Sequence, residues 1–317
     1  MGGAGTDSIV AIFVDANSET QTSNTTEATW EVPQNLPPTA NAGVDQIVEQ
    51  QGPTGSNVTL SGSGSSDLDG DTLTYSWSTG DTVVNPTVFL GAGTHTITLV
   101  VNDGTVDSAP DTVQITVRDN IAPAITTTDR TEEATDVSTP VDISGDASAT
   151  DAVGVASLTN DNAGPYPVGS TTVTWEACDA AGNCSTETQT VTIIDTTPPE
   201  ISNACLTDKL WPPNHKLVLV STGSVSDIAD PNATFDIVVT SNQPINGTGD
   251  GNTDPDWVVD SSSSDYEVSL RAERAGNIGQ RDYTTTVTAT DASGNTSTAT
   301  CSASVPHDQG KNKGGKK

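Results

Sequence analysis

Thr171-Thr-Val-Thr-Trp-Glu-Ala-Cys178-Asp-Ala-Ala-Gly-Asn183, running on to Thr190-Val-Thr-Ile-Ile194, is the stretch that decides the fold. Two Thr/Val-rich segments flank an acidic turn. β-Branched residues suit a pleated sheet, while Asp, Gly and Asn supply turn geometry. The pattern recurs upstream as His95-Thr-Ile-Thr-Leu-Val-Val-Asn-Asp103-Gly104 into Thr112-Val-Gln-Ile-Thr-Val117. It recurs downstream as Thr284 to Thr290, Asp291-Ala-Ser-Gly-Asn295 and Thr298 to Val305. Each is a strand, a turn starting at an Asp, and a second strand: the last hairpin of a sandwich.

Working outward, three openings precede these hairpins: Pro37-Pro38-Thr39-Ala40, Ala122-Pro123-Ala124-Ile125 and Pro198-Pro199-Glu200-Ile201. An opening, several short alternating strands and a closing hairpin, repeated three times, predict an all-β chain of tandem immunoglobulin-like β-sandwich modules in a rod. The expected units are a strand segment at 1–35, sandwiches at 36–118, 119–196 and 197–308, and a basic Gly/Lys tail at 309–317. Composition agrees. Only 32% of residues are hydrophobic and 4% aromatic, which favours several small cores over one large one.

The chain carries 42 Asp plus Glu against 11 Lys plus Arg, a formal charge of -31. Self-repulsion on that scale calls for counter-cations. It also makes nucleic acid and anionic membrane surfaces poor partners for everything but the tail, where Lys311, Lys313, Lys316 and Lys317 lie. The longest apolar run, Ile9 to Val14, is strand-sized and far short of a membrane span. No charged leader with an apolar stretch opens the sequence, so secretion implies a leader already removed or another export route.

Cys178, Cys184, Cys205 and Cys301 show no zinc-type spacing. Of three possible pairings, Cys178 with Cys184 staples a hairpin tip, and Cys205 with Cys301 joins the first and last strands of the third module. Both bonds point to an oxidising, extracellular compartment.

The residues around the first sandwich resemble a PKD (polycystic-kidney-disease) repeat. Pro38-Thr-Ala-Asn-Ala-Gly43, Val58-Thr-Leu-Ser-Gly62 and Ser65-Ser-Asp67-Leu-Asp69-Gly-Asp71-Thr-Leu-Thr-Tyr-Ser-Trp77 match its signature in order. The second sandwich is similar to a hyalin repeat (HYR) module through Asp119-Asn-Ile-Ala-Pro-Ala-Ile125, Ala149-Thr-Asp151, Tyr166-Pro-Val-Gly-Ser-Thr-Thr-Val-Thr174 and Asp179-Ala-Ala-Gly-Asn183. It lacks the cysteines of the usual long bridge. The third, with Leu210-Trp-Pro-Pro-Asn-His-Lys216 and Leu270-Arg-Ala-Glu-Arg274, resembles C-terminal Ig-like domains of bacterial secreted proteins. Both named families imply extracellular spacing, adhesion or protein contact without catalysis.

The candidate chemistry is calcium binding. Asp67, Asp69 and Asp71 alternate around Gly70, so several oxygens converge on a hard cation; the alternative is a solvated acidic turn. The PKD resemblance adds Asn41 near the module entrance. Asp179 with Asn183, and Asp291 with Asn295, each aim two oxygens across a Gly, unless they serve only as Asx-turn caps. Asp151 completes the candidates of the second module. Asp119 and Asp195 sit where modules meet, and a shared cation there is an analogy with calcium-linked sandwich proteins.

Catalytic signals are weak. His95, His215 and His307 are dispersed, and Gly62-Ser-Gly-Ser-Ser has no strand and helix to make a nucleophile elbow. Trp77 reads as core; Trp211 and Trp257 read as packing or as sugar platforms. Asn24, Asn57, Asn183, Asn232, Asn246 and Asn295 open Asn-x-Ser/Thr triplets. The strands of 1–35 must complete some sheet, either the first module's own or a neighbour's. The expected function is therefore a calcium-stabilised structural or adhesive protein, with end-to-end self-association through the N-terminal strands. The competing expectation is a non-catalytic accessory part of a secreted hydrolase, binding polysaccharide or protein.

Overall fold

The structure, a computed structural model, describes residues 5–10, 12–14, 17, 20–22, 26–30, 34–245, 251, 253–276 and 278–307. The basic tail at 309–317 and the triplet positions Asn24 and Asn246 lie outside them. All secondary structure among the described residues is β. By contacts the chain divides into two compact units. The first comprises 1–122 with the loops 151–154 and 179–183; the second comprises the remainder.

In the first unit, Gly5–Ile9 pairs antiparallel with Thr26–Trp30, and Ile12–Val14 with Thr20–Thr22. Each pair is a two-stranded sheet of its own. The run Ile9 to Val14 is thus divided between two strands, one paired with Thr26–Trp30 and the other with Thr20–Thr22, and neither pair is added to the first sandwich. That sandwich has a sheet ordered Gln46–Glu49, Asp111–Arg118, Gly93–Asn102, Thr74–Trp77. Its first strand runs parallel to the second, and the opposing ribbon is Ser56–Thr59 with Thr87–Leu90. Alternation buries Ile97, Leu99 and Val101 from one strand and Val113, Ile115 and Val117 from its neighbour, against Val58, Leu60 and Trp77. Leu73 and Tyr75 are only partly buried on the same core. The Trp77 indole donates to the Val83 carbonyl at 3.0 Å, which settles its one polar atom.

In the second unit, the sheet Arg130–Glu133, Cys184–Ile194, Gly169–Cys178, Ser157–Asn160 repeats the first one, including its parallel opening pair. Val173, Trp175, Val191, Ile193 and Tyr166 fill its core. Trp175 donates to the fully buried Gln189 amide at 2.9 Å, and Gln189 in turn donates to Thr128 and Asp146. The third set of strands differs. Glu200–Cys205, Leu217–Ser226, Asp265–Arg271 and Trp257–Ser261 form one sheet, and Thr234–Ser241, Arg281–Thr290 and Thr296–Val305 the other. Its first and last strands therefore belong to different sheets.

Both expected disulfides form. Cys178–Cys184 spans six positions of a hairpin, and Cys205–Cys301 spans 96 and links the two sheets of the third sandwich. One buried feature escaped the sequence reading. Arg281 is fully buried with its guanidinium against Asp256 and 3.7 Å from Glu273, and it lies 4.7 Å over the Tyr283 ring. His215 closes the group at 3.1 Å from the other Glu273 oxygen. Trp257 packs edge-on against Tyr283 at 6.5 Å, whereas Trp211 stays 43% exposed.

Candidate metal centre

Acidic residues sit at the ends of several strands. Asp119 follows Asp111–Arg118, Asp151 follows Ala147–Thr150, and Asp179 follows Gly169–Cys178. One carboxylate oxygen from each lies within 4.8 Å of the others. The closing loop holds its shape locally. Asp179 accepts from the Asn183 backbone at 2.9 Å and from its side-chain amide at 2.7 Å, and the same amide reaches the Asp119 carbonyl at 3.3 Å. Gly182 turns the chain there at a φ of 93°, open to glycine at no steric cost. Asp151 accepts from Val153 at 2.7 Å and Gly154 at 3.0 Å.

Asp119 spends one oxygen on the Ile121 amide at 3.2 Å, while its Oδ2 is buried with no hydrogen-bond partner. Desolvation, then the charges of Asp179 and Asp151, push the Asp119 carboxyl above the usual aspartate range. Burial also acts to raise Asp179, but the amide and backbone of Asn183 outweigh it and hold the group down. Glu49 beside them is held below its ordinary value, first by the Asn120 backbone amide. A residue that has a buried, unpartnered carboxylate oxygen and brings a carboxylate oxygen within 4.8 Å of two more carboxylates is an arrangement that could hold a cation. Its all-oxygen donor set suits a hard cation such as calcium and not zinc or copper.

The hydrogen-bonded framework is built a second time, although its three aspartates are not among the groups of the described residues that bring carboxylate oxygens within 4.8 Å of one another. Asp195 accepts from Thr197 at 3.2 Å, Asp291 from the Asn295 backbone and side chain at 2.8 and 2.9 Å, and the Asn295 amide reaches the Asp195 carbonyl at 3.0 Å. Gly294, at φ 90°, takes the place of Gly182. Asp227, which the sequence reading missed, corresponds to Asp151. Its Oδ1 accepts from Ala229 and Asp230, both at 2.8 Å, and its Oδ2 is buried without a partner. Glu133, taking the Thr196 amide at 2.7 Å, corresponds to Glu49.

A looser version lies in the first sandwich. Asp67 accepts from the amides of Asp69 at 2.8 Å and Asp71 at 3.2 Å, and again its Oδ2 is buried and unpartnered. Asp69 takes the Leu36 amide at 2.7 Å. Asp103, also missed, sits at the hairpin end like Asp179 and accepts from Asn35 at 2.8 Å. The Val106 amide, then Asn35, hold its carboxyl far below the usual range. Asn41 stands apart: its side chain accepts from Gly43 in its own turn, and its backbone amide donates to Ser65. Asp71 contributes its amide to Asp67. The signal for the missed residues was present in the repeat itself, since Asp103, Asp179 and Asp291 open equivalent turns. Asp67, Asp151 and Asp227 each directly follow a Ser or Thr.

His95 and His215 do not join any of this. His95 bonds the Gly91 carbonyl at 2.8 Å, and His215 faces Glu273. No helix among the described residues is long and apolar enough to cross a membrane.

Residues 35–117 match the PKD domain family. The chain is similar in structure to protocadherin gamma B2 extracellular cadherin domains 1–5, with 13% identity over 95% of this chain and 65% of that one and a TM-score of 0.34. The titin I-band fragment I67–I69 aligns at 10% identity over 85% of this chain and 98% of its own, with a TM-score of 0.27. A nucleoside hydrolase-related hypothetical protein from Saccharophagus degradans, associated with carbohydrate metabolism, shares 28% identity over 26% of each chain at a TM-score of 0.22. No curated protein matches the chain.

Proposed function

We propose that this protein is an extracellular structural or adhesive protein. Its three sandwiches, bounded near 36, 119, 197 and 308, are stabilised by calcium at the carboxylate frames. The observation that carries the reading is the convergence of Asp119, Asp151 and Asp179 within 4.8 Å, with Asp119 Oδ2 buried and unpartnered. A divalent cation there would supply the partner that oxygen lacks and offset the burial and the carboxylate repulsion that together raise its proton affinity. Asp119, Asp151 and Asp179 would hold it, and the Asn183 amide fixes two of those three residues. The net charge of -31 adds a general need for cations, and the two disulfides support an oxidising location.

Thermal unfolding in chelator and in millimolar calcium tests this, with magnesium as the control for a nonspecific charge effect. The expected result is a calcium-dependent rise that magnesium does not reproduce; superimposable curves would sink the reading.

Self-association end to end belongs to the same proposal. The N-terminal pairs Gly5–Ile9 with Thr26–Trp30 and Ile12–Val14 with Thr20–Thr22 are two-stranded, so their outer edges carry backbone groups able to pair with another chain. A heterologous contact of that kind, repeated without closure, builds a filament. The basic tail tunes the contact through exposed ion pairs, which contribute little each. Removing residues 1–25 and sizing the product with calcium decides it. A full-length chain that stays monomeric at high concentration, like the truncation, ends the filament reading.

A further inference from the structure

The two best-formed frames hold their closing loops by different means. The Asp291–Asn295 loop has two anchors, one to a side chain outside it and one from a side chain of its own, beyond the bonds it shares with the other loop. The Ala292 amide donates to Asp230 at 2.8 Å, and the Ser293 hydroxyl donates to Asp195 at 3.2 Å. In the Asp179–Asn183 loop neither anchor is possible, because Gly154 stands where the other frame has Asp230 and Ala181 where it has Ser293. What that loop has instead is a covalent closure. Cys178 and Cys184 face one another in register at its base, where the other loop has the pair Thr290 and Thr296. The disulfide is no part of a hydrophobic core, since Cys184 is exposed and Cys178 half-buried.

We propose that the Cys178–Cys184 disulfide is the positioning device of the Asp119/Asp151/Asp179 calcium site, a clasp that replaces the two side-chain anchors of the Asp195/Asp227/Asp291 site. The inference rests on the calcium reading. Its physical basis is preorganisation. Without a cation, three carboxylates within 4.8 Å repel one another and push the loop outward. A loop that opens must be reordered when the cation binds, at the expense of affinity. The disulfide confines the loop beforehand; in the other frame the bonds from Ala292 and Ser293 do so.

The test uses the full chain carrying Cys178→Thr and Cys184→Thr, which copies the Thr pair of the other loop. Calcium is titrated while amide hydrogen exchange is followed in peptides covering 179–183 and 291–295, so each loop reports its own midpoint. In the variant the midpoint at 179–183 moves to about tenfold higher calcium, equivalent to the loss of about 1.4 kcal/mol. The midpoint at 291–295 stays in place. Adding Ala181→Ser to the cysteine-free chain restores one anchor and recovers most of the loss. In the disulfide-bonded chain the same Ala181→Ser changes the midpoint less than about twofold, because the loop is already held. An unmoved midpoint at 179–183, an equal shift at both loops, or a loss that Ala181→Ser leaves untouched overturns the proposal. A wild-type chain in which neither loop responds to calcium overturns the calcium reading together with it, and is told apart because it appears before any substitution.

Discussion

Replacing Asp119 by Asn should reverse the sign of its effect when calcium is added. In chelator the substitution removes a carboxylate that desolvation and the charges of Asp179 and Asp151 already disfavour, so the variant should melt at or above the wild-type temperature. In calcium the wild type gains and the variant does not. For a dissociation constant near 10⁻⁴ M, as extracellular calcium modules show, 1 mM calcium contributes about 1.4 kcal/mol per site through RT ln(1 + [L]/Kd). A unit of 60 to 100 residues shifts its melting point by roughly 4 to 8 °C per kcal/mol, so the wild-type gain is about 6 to 11 °C. Differential scanning calorimetry of both proteins, each in chelator and in 1 mM calcium, gives four melting temperatures. The reasoning is refuted if Asp119→Asn gains as much from calcium as the wild type, or if it is clearly less stable than the wild type in chelator.

Asp227→Asn should likewise remove a calcium-dependent gain, in this case confined to exchange protection of the 291–295 loop. The pH dependence has two opposed parts. Asp103 and Glu49 have depressed folded-state pKa values, so their contribution is intact above the ordinary carboxylate range and is lost as pH falls through it; Asp119, raised when folded, is relieved by the same fall. Calcium-free Asp119→Asn should therefore lose stability more steeply than the wild type on acidification from neutrality, which denaturant titrations at several pH values can read. Arg281→Met leaves Asp256 and Glu273 buried beside an apolar side chain and should cost about 3 to 5 kcal/mol in urea unfolding. Replacing Cys205 and Cys301 by Ser opens a closure of 96 positions and should cost about 4 to 5 kcal/mol by the chain-entropy estimate.

The sandwiches were readable because their signals are local. The alternation in Thr94 to Val101 and Thr112 to Val117 specifies which side chains face inward, and the Asp-to-Asn turns mark where each hairpin reverses. The disulfides followed from the same placement of cysteines on strands. The frames were half readable. Asp119, Asp151, Asp179 and Asn183 were each singled out, yet their convergence joins positions 60 residues apart, which no spacing expresses. Asp103 and Asp227 were passed over because each resembles an ordinary turn residue until the three repeats are superposed. Asn41 rested on resemblance alone, and its side-chain oxygen accepts from Gly43 two residues on. The Arg281 group was invisible for another reason. A charged residue in a strand reads as solvent-facing, and only the fold supplies Asp256 and Glu273 as partners. The N-terminal strands were recognisable as strands, but their partner was not, since strand pairing depends on which edge is nearest.

The Cys205–Cys301 bond also sets how the chain carries load. Tension entering through Glu200–Cys205 and leaving through Thr296–Val305 passes from one sulfur to the other, bypassing the residues between them. Those 96 positions represent roughly 320 to 350 Å of extended chain that pulling cannot release. The bridge at Cys178–Cys184 shields only the turn it closes, leaving the rest of its sandwich free to unravel. Stretched from its ends, the molecule would lengthen in the stretch before Glu200 while the third sandwich kept its length, and a reductant would convert that inextensible segment into the longest reserve of slack in the chain.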